Sequence, residues 1–189
     1  FCYAEKMSKQ HHVIFVPGLS DHRPYGQNVA IAAWRIFGVR GHYHAVGWAD
    51  GEAFGPKLDR LLAHIDSILM RGYAVSLVGA SAGASAVLNA FGLRKHELAG
   101  VALICGKVNH PENMQPSTFR ENPAFEESMD ILAETFPTLT TEDRGSILSL
   151  HPLADSVVPL ADTIIDGAHK KTMFIRGHSV GILYGLTLA

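Results

Sequence analysis

The sequence is short of cysteine, of net charge and of long apolar runs, and each shortage closes off a class of protein. Two cysteines, Cys2 and Cys105, cannot build a disulfide framework, which excludes a small bridge-held scaffold and points to a reducing compartment such as the cytoplasm. Cys105 lies in the apolar run VALIC and is expected to be a small buried hydrophobe. With 16 Lys and Arg against 18 Asp and Glu, and like charges never running beyond pairs such as Arg94-Lys95 or Lys170-Lys171, there is no basic footprint for nucleic acid. No apolar stretch approaches the roughly 20 residues that span a bilayer, so no integral membrane segment is expected. FCYAEK at the start has neither the apolar core nor the cleavage pattern of a secretory signal. No G-x-x-x-x-G-K-[ST] stretch exists for nucleotide phosphates, and GASAGASA has the wrong glycine spacing for a dinucleotide loop, so no cofactor is expected.

The chain does have 189 residues, 47% of them apolar, enough to bury one sizeable core. No repeat or low-complexity linker marks a second domain. Residues 1–10 read as an N-terminal extension, either a cloning remnant or upstream sequence ahead of Met7, and 11–189 as a single domain. Short apolar runs, rich in β-branched residues, recur at 11–17, 42–48, 73–79, 99–105, 146–152 and 171–177. Their unbroken apolar centres suit strands covered on both faces. Between them, 28–38, 54–72 and 82–94 have helical length, the second with Leu58, Leu61, Leu62, Ile65, Ile68 and Leu69 at helical spacing. Gly38 and Gly72 stand where helix stops belong. Alternating strands and helices give an α/β fold with a parallel sheet. The stretch 106–145, with four prolines and one helical segment PAFEESMDILAETF, breaks the alternation. It reads either as a lid-like functional excursion or as one crossover helix with long loops.

Gly79-Ala80-Ser81-Ala82-Gly83 matches G-x-S-x-G where a strand gives way to a helix, which makes Ser81 the candidate nucleophile. Small neighbours are needed because the turn is strained and crowded. The turn aims the Ala82 N–H toward a developing oxyanion. Ser85, one helical turn on, lacks the glycine pattern and is expected to pack or bond within the helix. A serine hydroxyl needs a base, and the base needs a group that fixes its tautomer. Asp155 follows the fifth strand candidate and His178 the sixth, so both would sit at carboxyl ends of strands, where open parallel sheets form their sites. Asp162 falls inside an expected helix VVPLADTIID, Asp143 precedes a strand, and His169 precedes the last strand, which disfavours all three. The other histidines read as surface or hydrogen-bonded core residues. His42 and His44 could share a strand face, and His11-His12 are adjacent, but neither pair has Cys or carboxylate partners at metal spacing, so no metal is expected. Asp21 and His22 could line a pocket or cap the helix beginning near Gln27, capping being the expectation for Asp21.

Ser81, Asp155 and His178 occur in the chain order of the α/β-hydrolase triad. Through GASAG, DSVVP and the late Gly177-His178, residues 11–189 resemble the α/β-hydrolase superfamily. The resemblance implies a mostly parallel six-stranded sheet flanked by helices on both faces, without the family's usual first two strands and without a large cap domain. It also implies that the N–H of Leu19, after Pro17-Gly18, pairs with that of Ala82 as the oxyanion hole. Many members carry His-Gly where this chain has Pro17-Gly18. The expected activity is a serine hydrolase that cleaves a small-molecule carboxylic ester or thioester through an acyl-enzyme. A peptidase or amidase with the same triad, and a binding protein without turnover on the same scaffold, stand as alternatives. Ser20, Met114 and Phe119 are expected to line the substrate pocket, while Phe125 and Met129 suit core packing.

Overall fold

A computed structural model describes residues 10–24 and 26–187. The expected N-terminal extension, with Cys2 and Met7, lies outside the described residues except for Gln10.

Six strands form: β1 (His11–Val16), β2 (Val39–Tyr43), β3 (Ala74–Ala80), β4 (Gly100–Ile104), β5 (Ile147–Ala154) and β6 (His169–Arg176). They make one sheet in the order β2-β1-β3-β4-β5-β6, and every neighbouring pair is parallel. Alternation along β1 sends Ile14 and Val16 to one face and Phe15 to the other. The first face is covered by α2 (Phe54–Leu69), α3 (Gly83–Arg94) and α5 (Pro123–Thr135), the second by α1 (Gln27–Ala33) and α7 (His178–Thr187). Helix α3 is buried at every position from Gly83 to Phe91, which explains why it has no charged, solvent-facing stripe over that span. Helix α2 buries Leu58, Leu61, Ile65 and Ile68, as their spacing requires.

The second strand lies earlier than the run 42–48. Gly38, at φ 75°, closes a 3-10 turn over Trp34–Phe37, and the chain enters the sheet at once. Val46 and Trp48 instead leave the sheet for the core. Trp48 is fully buried, stacked on Phe54 and edge-on to Phe125. The segment expected as helix VVPLADTIID is a single 3-10 turn, Leu160–Thr163. Asp21 does not cap α1. Its carboxylate accepts the Gly47 N–H at 2.5 Å, and Gly26 stands at the helix start without a side-chain bond.

Between β4 and β5 the chain forms α4 (Pro116–Glu121), α5 and α6 (Thr141–Gly145). Helix α5 lies along α3 with Phe125, Met129 and Leu132 in the core. Ser85 Oγ and Ser128 Oγ, 2.6 Å apart, join the two helices, so Ser85 bonds and packs inside the fold. Met114 and Phe119 are half-buried against the same cluster, Phe119 beside the Phe125 ring at 5.6 Å.

One buried ion pair fastens the loops after β4 and β5. Lys107 is 2% exposed and Asp162 fully buried; Lys107 Nζ donates to the Asp162 carboxylate and to the His110 carbonyl. Asp162 also accepts from Asn113 Nδ2 at 3.1 Å, and its carbonyl takes the N–H groups of Val108 and Asn109. Removing one member of such a pair strands the other charge in a site without water. Lys107→Met is therefore expected to cost about 3–5 kcal/mol in urea unfolding, whereas Lys107→Met with Asp162→Leu recovers most of that loss. Equal destabilisation in the two variants would contradict a charge-pairing role.

Candidate active site

Strands β1 and β3 are neighbours, yet their connections leave toward opposite faces, β1 into α1 and β3 into α3. A crevice opens at such a switch of direction, at the carboxyl ends of the strands. Ser81 is the residue at that point. It ends β3 with φ 52°, a left-handed conformation that a side chain rarely takes, and α3 starts two residues later. Its N–H bonds the Ile104 carbonyl, and its carbonyl accepts from Ala84 and Lys107. The strained turn is thus held from β4 and from its own helix.

The glycines around it leave room that no other residue would. A Cβ on Gly83 would overlap the Val16 carbonyl and lie 2.6 Å from the Pro17 oxygen. On Gly79 it would lie 2.7 Å from the Gly83 oxygen, and on Gly18, 2.9 Å from the Ser81 Cβ. The Pro17-Gly18-Leu19 loop accordingly runs directly against the Ser81 side chain. The N–H groups of Leu19 and Ala82 bond no carbonyl among the described residues, so both remain available as donors. The loop is braced from behind. Trp48 Nε1 donates to the Pro17 carbonyl at 3.3 Å, and the Tyr43 hydroxyl to the Asp21 carbonyl at 2.7 Å.

Asp155 and His178 meet at the next two strand ends. Asp155 follows β5, and its Oδ1 accepts the N–H groups of Val157 and Val158 at 2.8 and 3.0 Å. These bonds are the reason for the DSVVP pattern: the carboxylate folds the turn that carries it, which leaves Oδ2 free. Oδ2 lies 2.7 Å from His178 Nδ1. His178 opens α7 just after Gly177, whose φ of 95° ends β6 and whose N–H bonds the Ala154 carbonyl at 2.8 Å. The pair is well sheltered, with side chains 12% and 4% exposed for His178 and Asp155. With Nδ1 facing a carboxylate, the neutral ring carries its proton there and leaves Nε2 as its acceptor nitrogen. Ser81 is half-buried and its hydroxyl bonds no described residue.

Sequence reasoning missed two neighbours of this group. Cys105 is buried as expected, but it also takes φ 51° at the end of β4, and its Sγ lies 3.8 Å from the His178 carbonyl. Burial, and then the charge of Asp155, push its thiol up to about 12. Among the described residues, Cys105, Asp155 and His178 form the one group of three metal-type donors, all within 4.8 Å. Both Asp155 oxygens are already engaged by hydrogen bonds, so the geometry is that of an acid holding an imidazole. Lys107 is the second, since its backbone N–H bonds the Ser81 carbonyl at 3.0 Å. Only the run of small and apolar residues after β4 hinted that this loop is packed so close.

Of the residues expected in a pocket wall, Met114 and Phe119 are half-buried on the main core and Ser20 is exposed; Leu19, expected in the oxyanion hole, is half-buried on the same core. Asp162 is committed to Lys107, and His169 begins β6 at the opposite end of the sheet from His178. A cavity of about 480 Å³ bounded by Asn109, His110, Phe136, Arg144 and Ile164 lies apart from Ser81, Asp155 and His178.

No protein-family model matches the sequence, and no curated protein does. Solved structures match it closely in shape. Est1E from Butyrivibrio proteoclasticus is 13% identical with a TM-score of 0.67, over 96% of this chain and 87% of that one. The esterase domain of a Rhodothermus marinus protein is 15% identical with a TM-score of 0.63, over 92% and 80%. The ydeN gene product of B. subtilis is 15% identical with a TM-score of 0.61, over 89% and 87%. At this identity the likeness speaks for the architecture alone, and in architecture the chain has the α/β-hydrolase fold.

Proposed function

We propose that the protein is a serine hydrolase of small carboxylic esters or thioesters, with Ser81 as nucleophile, His178 as base and Asp155 as its orienting acid. The observation that carries this reading is the 2.7 Å contact of His178 Nδ1 with Asp155, at the same sheet edge as a serine held at φ 52°. In this mechanism His178 Nε2 takes the Ser81 proton as Oγ attacks the substrate carbonyl. The oxyanion is received by the N–H groups of Leu19 and Ala82, and Asp155 stabilises the imidazolium. His178 passes the proton to the leaving alcohol or thiol, which departs. Water then attacks the acyl-enzyme, gives its proton to His178, and Ser81 leaves with that proton restored. Met114 and Phe119, with Leu19, supply the apolar side of the acyl site, and Ser20 a polar rim. The free, buried Cys105 fits a reducing cytoplasm.

Wild-type protein is expected to label with a fluorophosphonate probe and to hydrolyse p-nitrophenyl acetate. Ser81→Ala abolishes labelling and lowers kcat by about 10³-fold or more while leaving the fold intact. Labelling that persists in Ser81→Ala would place the nucleophile elsewhere.

Asp155→Asn keeps the Val157 and Val158 turn acceptor but offers His178 the wrong tautomer. It should reduce kcat/KM by about 10³ to 10⁴ with little change in unfolding temperature. A loss below tenfold would remove Asp155 from the triad.

Across a p-nitrophenyl ester series from acetate to decanoate, kcat/KM should rise over the first several carbons, with the rise blunted in Met114→Ala. A flat profile in the wild type would sink the apolar acyl site. Matched anilides should turn over far more slowly than esters, and the reverse order would identify an amidase.

A further inference from the structure

Four of the eleven histidines lie together, far along the chain from His178, and the proposed chemistry uses none of them. His12 on β1, His42 on β2, His44 just after β2, and His64 on α2 form a continuous run of rings. His12 Nδ1 and His42 Nε2 are 2.9 Å apart, and His44 Nδ1 and His64 Nδ1 are 3.3 Å apart. The His42 and His64 rings meet edge to face with centroids 5.4 Å apart, and His12 stacks between Tyr73 and His42 at 4.5 and 5.0 Å. His12 is 3% exposed, and its Nε2 has no partner among the described residues.

Each of the two nitrogen contacts needs one donor and one acceptor, which neutral imidazoles supply. A protonated ring has donors on both nitrogens, so protonating both members of a pair turns the contact into N–H against N–H. No counter-charge offsets this. The charged groups acting on the row are Arg40 on β2, Arg60 on α2, Arg71 after α2, and His11 on β1, all cationic or able to become so. None of the four histidines is ion-paired to a carboxylate among the described residues, and the nearby Glu52 is held by Arg60 and Lys57. Burial is the largest influence on all four and lowers each below the ordinary histidine value; for His42 and His44 the result is about 4.

The row is joined mechanically to the candidate active site. The His44 N–H bonds the Phe15 carbonyl at 2.9 Å. Three residues on, the Gly47 N–H holds the Asp21 carboxylate at 2.5 Å, and Trp48 Nε1 holds the Pro17 carbonyl at 3.3 Å. The segment that leaves the row therefore braces the loop lying against Ser81.

We propose that His12, His42, His44 and His64 form an acid-release latch: protonation of the row separates β2 and residues 44–48 from α2 and slackens the Pro17-Gly18-Leu19 loop beside Ser81. Its effect on turnover rests on the esterase reading; its effect on stability does not.

The sign follows from linkage. Below the ordinary value of 6.5 these histidines are protonated in the unfolded chain, while His42 and His44 stay neutral in the folded one down to about 4. The unfolded chain binds more protons in that window, so stability falls as pH drops through it and levels off below.

The test measures urea unfolding of the whole protein from pH 7.5 to 4.5, for wild type and for His42→Gln/His64→Gln. Between pH 7 and 5 the wild-type folding constant should fall at least about tenfold more than that of the variant. Parallel curves would overturn the latch. A second measurement covers a variant that does not fold: imidazole NMR titration of the wild type. His42 and His44 signals that stay constant from pH 7 to 5.5 support the proposal, and titration near 6.5 overturns it. In the same experiment, ester turnover assayed at pH 7.5 after exposure to pH 5 should recover, and be lost at pH 5 more steeply in wild type than in the variant. A protein that shows the stability difference but no turnover at any pH would refute the esterase reading and leave the latch standing.

Discussion

The structure turns on the close crossing of the first turn of α3 over the carboxyl end of β1. Backbone meets backbone there: the Gly83 α-carbon faces the carbonyls of Val16 and Pro17, and Gly79 lies against the α3 backbone. No side chain can stand at these positions, so α3 sits lower on the sheet than ordinary side-chain packing allows. The consequences spread outward. Helix α3 sinks far enough to be covered by α2 and α5, and Ser81 is forced into a left-handed turn with its hydroxyl at the sheet edge. Gly18 then brings the β1 loop against that same side chain. One packing constraint thus sets both the core and the position of Ser81.

Near that crossing, several buried or sheltered polar groups tie loops together. Asp155 folds its own turn with one oxygen and holds His178 with the other. Asp21 and Lys57 anchor the Gly47 turn from two sides, through its N–H and its carbonyl. Lys107 and Asp162 lock the loops after β4 and β5. In a parallel sheet these loops have no ladder of their own beyond the strand ends, so side chains and carbonyls must satisfy them. Such cross-links tie together the loops after five of the six strands, β1, β2, β4, β5 and β6.

Histidine stands in two opposite settings. His178 faces a carboxylate, 2.7 Å from its Nδ1. The row of His12, His42, His44 and His64 faces other imidazoles and cations, which makes every proton costly. The same side chain meets a carboxylate in one place and other imidazoles and cations in the other.

Much of this could be read from the chain. The period of apolar runs set six parallel strands, and G-x-S-x-G at a strand-to-helix junction singled out Ser81 from Ser85 because steric demands at that turn are local and sequence-near. Asp155 and His178 were legible for a related reason, since each follows a strand and open parallel sheets gather their strand ends. The misjudged elements were those decided by distant contacts. Residues 45–48 read as strand by composition, but Trp48 finds more apolar contact against Phe54 and Phe125 than the sheet edge offers. Asp162 read as part of a helix away from the strand ends, and its charge partner is Lys107, 55 positions away. Asp21 read as a cap and instead holds Gly47. The four-histidine row spans β1, β2 and α2, and nothing in the spacing of those residues could announce it. Local sterics and hydrophobic periodicity act over a few residues and are written in the sequence. Pairing of buried charges and rings depends on which segments the fold brings face to face, and the tertiary structure alone decides that.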